Sequence, residues 1–141
     1  GPFGRFRRFM STRDRSVQGE QQRQAANFPE QNGVADAVSI ALWNFVAYRW
    51  EDPSVEYKLS LQMHDALLFE VPIPHLRAFK TRVLPLCMVE RVPIVPRTLD
   101  NKPMVVAEPY HFGIDTKVCV NWGEKVTAEH AQQLGIDPDL L

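Results

Sequence analysis

Two groups of residues in this 141-residue chain carry types and spacings that chemistry could use. The first is His64-Asp65, a polar dipeptide between two short apolar runs, Tyr57-Lys58-Leu59-Ser60-Leu61-Gln62-Met63 and Ala66-Leu67-Leu68-Phe69-Glu70-Val71. Apolar runs about a two-residue break predict a β-hairpin. Such a turn ordinarily uses Asn-Gly or Asp-Gly to supply positive φ, and His-Asp is poorly suited to that backbone. Turn residues that go against local propensity are often chosen for chemistry. A carboxylate on a rigid β support is what a metal ion bridging to phosphate oxygens requires. The plain alternative for a lone turn aspartate is a structural one. The second group is Arg23, Asn27 and Gln31, spaced four apart. Guanidinium and amide donors match the purine N3 and pyrimidine O2 acceptors of the DNA minor groove, where they check pair geometry without reading sequence. Taken singly, each is an ordinary helix-end or surface residue.

The elements that must position these groups can be read from pattern. From Gly19 to Arg49 the chain is helix-friendly, interrupted at Pro29. After it, Val34, Val38, Ala41, Leu42, Phe45 and Val46 recur at three- and four-residue spacing, which predicts an amphipathic helix with Asn32-Gly33 at its start. Glu51-Asp52-Pro53-Ser54 ends it. The hairpin follows, and then Pro74 opens a helix over His75 to Glu90, with Leu76, Phe79, Val83 and Leu86 on one side and Pro85 weakening its last turn. Arg91 to Pro109 is proline-punctuated and extended. Phe112 to Trp122 predicts another strand, with Ile114, Val118 and Val120 as its apolar positions, and Thr127 caps a closing helix through Leu134. The expected order is helix, helix, strand, strand, helix, irregular, strand, helix. An α+β layer with helices packed on a small antiparallel sheet accommodates it.

Composition narrows the class. With 16 Lys plus Arg against 17 Asp plus Glu, and 45% hydrophobic residues, the chain has the material for one globular domain. No apolar run reaches the ~20 residues of a membrane-spanning helix, and the arginine-rich start lacks the apolar stretch of a signal peptide. Cys87 and Cys119 are too few for a disulfide framework, so a reducing, cytoplasmic setting is expected. His64, His75, His111 and His130 lack zinc-site spacing, and no Gly-rich phosphate loop or Gly-x-Ser-x-Gly elbow is present. The charge is unevenly placed. Arg5, Arg7, Arg8, Arg13, Arg15 and Arg23 against Asp14, Glu20 and Glu30 leave residues 1–31 at +3, and the remaining 10 basic and 14 acidic residues leave the rest at −4. A basic end suits a phosphate backbone, and equally a solvated loop.

As an ordered set, these residues resemble the C-terminal palm segment of family A (DNA polymerase I-like) DNA polymerases. The match is carried by Phe3-Gly4-Arg5-Phe6-Arg7-Arg8, by Gln22-Arg23-Gln24-Ala25-Ala26-Asn27-Phe28-Pro29-Glu30-Gln31 with Ala35-Asp36, and by Gln62-Met63-His64-Asp65-Ala66-Leu67-Leu68-Phe69-Glu70-Val71. It covers roughly the first half of the chain, with an echo of the family's terminal strand over Gly113 to Gly123. The resemblance implies templated nucleotidyl transfer from dNTP to a primer 3′-hydroxyl by a two-metal mechanism. It makes Asp65 a catalytic ligand of Mg²⁺, one of two ions shared with an aspartate that this chain does not contain. His64 would steady the primer terminus, Arg23, Asn27 and Gln31 would line the minor groove, and Arg5, Arg7 and Arg8 would meet backbone phosphate. The implied partners are primer-template DNA, dNTP and an upstream segment or chain carrying the other aspartate and the fingers, so the chain alone should be inactive. Residues 1–31 would be the DNA-contacting segment, 32–90 the helix, catalytic hairpin and helix, and 91–141 an irregular insertion with the terminal strand and helix.

Two departures point to a divergent branch of phage or viral type, which would place the protein in host cytoplasm. Ala66 stands where the family usually has glutamate, and Glu30 where an apolar residue is common. A noncatalytic DNA-binding accessory module derived from a palm is the competing expectation. Trp43, Trp50 and Trp122 read as core anchors rather than base-stacking platforms. Half of a palm packs on its other half, however, which would leave Trp43 and Phe45 as a patch awaiting a partner.

Overall fold

The computed structural model describes residues 7–9, 11–94, 100, 102–103, 111–121 and 123–141. Its first element is one long helix, α1, Arg15–Glu51, where two were expected. Asp14 caps it, its carboxylate accepting from the Ser16 N–H at 2.8 Å. Gln, Glu, Arg and Ala dominate the first turns and are strong helix formers. Pro29 lies inside the helix without ending it. It removes the hydrogen bond to the Ala25 carbonyl, but Ala25 is exposed, so water can serve that oxygen. Asn32 continues the helix, its side-chain amide donating back to the Phe28 carbonyl at 3.0 Å. The helix stops at Asp52, whose N–H bonds to the Tyr48 carbonyl and whose carboxylate accepts from Tyr48, Ser54 and Arg82.

The hairpin forms where the pattern places it. Strand β1, Lys58–Met63, pairs antiparallel with β2, Ala66–Glu70, in a register that sets Met63 opposite Ala66 and leaves His64 and Asp65 as the turn. A bulge at Ser60 interrupts the ladder between Leu59 and Leu61. Leu67 and Phe69 turn toward the core, while Leu61, Met63 and Leu68 are exposed. Helix α2, Ile73–Ala78, follows and continues through two π-helical segments, Phe79–Val83 and Leu86–Glu90, with Pro85 between them. The Asn44 side-chain amide donates to the carbonyls of Cys87 and Arg91, which secures the end of this helical run on α1.

The core is an aromatic knot. Phe45 of α1 sits 4.5 Å from Phe69, 5.9 Å from Tyr57 and 6.1 Å from Phe79, ring centre to ring centre. Ala41, Val83, Cys87 and Val92 close around it, each almost fully buried. Phe45 is therefore a core residue and no part of an exposed patch. Trp43, at 73% exposed, fits the patch expectation and not the core-anchor one, and Trp50, expected as a core anchor, is 85% exposed. At 100° per residue both fall on the side of α1 opposite Ala37, Ala41, Phe45 and Tyr48. Trp122 lies outside the described residues.

The C-terminal part is built around a second, smaller cluster of Leu76, Val126, Ala131, Ile136 and Leu140. The expected strand over Phe112 to Trp122 is regular only at β3, Cys119–Asn121, which pairs with β4, Glu124–Lys125, through a turn with Gly123 at φ 100°. It does not pair with β1 or β2: the described residues form two separate two-stranded ladders. Helix α3, Ala128–Leu134, is capped by Thr127 and ended by Gly135 in the left-handed region. Arg77 pairs with Asp137, and Lys80 donates to the Leu140 carbonyl, tying this part to the α2 run. The architecture is α+β. Of the irregular stretch Arg91 to Pro109, residues 95–99, 101 and 104–109 lie outside the described residues.

Candidate functional site

The hairpin tip carries the first group. His64 has φ 54°, and of the two turn residues it alone is in that region. Positive φ at the first central position belongs to a type II′ turn, which matches the right-handed twist of the strands and ordinarily places glycine there. A histidine in that position carries backbone strain of order 1 kcal/mol. Both His64 and Asp65 are exposed, so the tip presents an imidazole and a carboxylate outward on the end of a hydrogen-bonded ladder. Behind them the ladder is seated on the core by Phe69, and the Tyr57 hydroxyl donates to the Phe45 carbonyl at 2.6 Å.

The second group lies on one stripe of α1. Arg23, Asn27 and Gln31 are all exposed and recur at the four-residue interval of a helix face. Two such intervals span about 12 Å, comparable with three to four base-pair steps of B-DNA. The Arg23 guanidinium donates to Glu20 at 2.6 Å, and this bond, with a second from Gln24, holds the Glu20 carboxyl below its ordinary pKa. Both partners are well exposed, so the pair is weak and can open to another anion. Pro29 sits between Asn27 and Gln31, and the helix carries the stripe across it.

Of the basic end, Arg7 and Arg8 are exposed, and the Arg7 guanidinium lies 5.4 Å from the centre of the Phe9 ring. Arg5 lies outside the described residues. Arg13 and Arg15 flank the cap of α1 and are likewise exposed; they enter the charge count but not the expected site. They lie beside a helix N-terminus, where the backbone itself is positive, so positive charge is concentrated at this end of α1. No hydrogen bond or ion pair among the described residues joins the hairpin tip to the α1 stripe.

The donor set for a metal ion is thin. Among the described residues no cluster of three or more His, Cys, Asp and Glu could hold one. Asp65 offers a single carboxylate with Ala66 beside it. Two of the other histidines have structural partners: His75 accepts from the Glu56 N–H, and His111 Nδ1 meets the Val89 carbonyl at 2.7 Å. No helix of the described residues is long and apolar enough to cross a membrane. No family model matches the chain, and no solved structure matches it.

Proposed function

We propose that this chain is the C-terminal palm segment of a family A-like DNA polymerase, supplying Asp65 and a set of minor-groove donors to a nucleotidyl-transfer site completed by a second segment or chain. The observation that carries the reading is the turn itself. A histidine held at positive φ beside an aspartate, on a two-residue hairpin tip where glycine would be relaxed, is strain at an exposed position. Strain of that kind is retained at sites of function. The unbroken helix beneath Arg23, Asn27 and Gln31 supports it, since it presents the three donors on one stripe.

In this reading Asp65 is one carboxylate of a shared magnesium site, whose ions, when bound, supply activation of the primer 3′-hydroxyl and neutralise the departing pyrophosphate. His64 holds the primer end, and Arg23, Asn27 and Gln31 donate to minor-groove acceptors of the newest base pairs. Arg5, Arg7 and Arg8 hold backbone phosphate. The partners are primer-template DNA, dNTP and the chain that carries the remaining carboxylate and the fingers.

Ala66, where the family usually has glutamate, favours a second reading: a DNA-binding accessory module without chemistry. Templated primer extension with Mg²⁺, by this chain plus a complementing upstream polymerase segment, separates the two. Asp65→Asn keeps the shape and removes the charge, and should lower extension by at least ~100-fold. Equal extension by the variant would remove Asp65 from the site. Duplex binding without extension by any pair would favour the accessory module.

A further inference from the structure

The hairpin is held at one end by its strained turn and at the other by a contact between the segments that flank it. Glu56 lies just before β1, and His75 lies just after β2 in the first turn of α2. The Glu56 backbone N–H donates to His75 Nδ1 at 2.9 Å. Accepting at Nδ1 requires the neutral ring with its proton on Nε2. The ring is mounted firmly, because the His75 N–H bonds to the Pro72 carbonyl at 2.8 Å and Pro74 pre-sets the helical turn. One hydrogen bond thus joins the chain entering the hairpin to the chain leaving it.

Other ties also cross this end: Lys58 pairs with Glu70 and Leu59 with Phe69 in the ladder, the Ser60 hydroxyl donates to the Glu70 carboxylate, and the Tyr57 ring meets Phe69 edge-on. Lys58 and Glu70 face each other at 3.5 Å with both side chains well exposed, so their attraction is largely screened. The Ser60 bulge breaks the ladder close to the base. Tyr57 and Arg49 anchor the entering strand to α1, through the Tyr57 hydroxyl to Phe45 and the Arg49 guanidinium to the Tyr57 carbonyl. A two-stranded ribbon is marginal by itself and twists easily. A bond that closes its base therefore limits the sweep of its tip.

We propose that His75 is a positioning residue that clasps the base of the hairpin and so holds His64 and Asp65 in one direction. Its consequence for nucleotidyl transfer rests on the function proposed above; the clasp is a property of this chain alone. Amide hydrogen exchange on the full chain tests it. His75→Leu removes the acceptor, and His75→Asn restores one near the same place. In His75→Leu the Glu56 amide should exchange about tenfold faster and the hairpin amides several-fold faster, with native protection returning in His75→Asn. An unchanged Glu56 amide, or unchanged hairpin amides beside a freed Glu56, would overturn the clasp. Should His75→Leu not fold, His75→Asn decides: native protection of Glu56 and the hairpin supports the proposal, and loss of both overturns it. In primer extension with the complementing chain, His75→Leu should be slowed and His75→Asn should recover. If exchange follows the expected pattern while native chain extends nothing, the polymerase reading fails and the clasp stands. A loosened hairpin with full extension would overturn the aiming role.

Discussion

His64 concentrates the physics of the site in a single dihedral angle. At φ 54° it occupies backbone space that glycine enters without penalty, so His64→Gly should leave the chain at least as stable. Thermal melting should show an unchanged midpoint or a rise of a few degrees. Under the proposed function, extension with the complementing chain should fall in the same variant, because the imidazole proposed to hold the primer end is gone. A drop in melting temperature of several degrees would mean the turn stores no strain. The identity of these tip residues was legible from their unsuitability as a turn. The outward place of Trp43 was legible as a half-palm patch, whereas that of Trp50 is set by helical geometry once Phe45 and Tyr48 are fixed on the core side. Large aromatic residues bury most surface when they are inside, and that expectation outweighed geometry.

Helix α1 shows where a local rule loses to its surroundings. Proline in a helix interior costs about 3 kcal/mol, and Asn32-Gly33 shortly after it looks like a restart. The helix nonetheless runs on, because its cost falls at an exposed carbonyl and the turns on either side are good helix formers, with the C-terminal half locked on the aromatic core. Pro29→Ala should therefore raise helicity and steady the N-terminal half. Far-ultraviolet circular dichroism and amide exchange over residues 19–31 should record more ellipticity and slower exchange. Unchanged exchange would show that Pro29 imposes no fraying. The terminal strand is the converse case, since its apolar alternation was legible but its partner was not. Gly123 supplies a turn that sends the chain back on itself, so β3 pairs with β4 instead of extending the β1–β2 sheet.

At the scale of the whole molecule, two burials set its response to alkali. Burial pushes the Tyr57 phenol up to about 12 and the Cys87 thiol up to about 11, from ordinary values of 10.0 and 9.0. Both groups hold their protons more tightly folded than unfolded. The stability this confers is whole below about pH 9 and is lost as pH rises toward about 12, through the two folded values. Urea midpoints should be flat near neutrality and fall across that window, and Cys119, which is exposed, should react with thiol reagents long before Cys87. A flat midpoint through the window would contradict the burial of Tyr57. Charge placement is the other global property. Under the proposed function, duplex affinity should fall linearly in log salt, and replacing Arg7 and Arg8 together by Ala should reduce the slope by about 2. An unchanged slope would take both off the phosphate backbone.

The amino-acid sequence by itself determined the α+β class, the hairpin and its tip, the end of α1 at Asp52 and the Thr127 cap of α3. Each of these is written in short-range terms: apolar alternation, a polar break, a capping side chain. Tertiary structure alone decided that α1 is continuous, that Phe45 lies inside while Trp50 lies outside, and that the terminal strand pairs with β4. It also set His75 against Glu56, 19 positions away. These outcomes depend on what each face meets in space, and a contact between distant segments leaves no periodic trace in either of them.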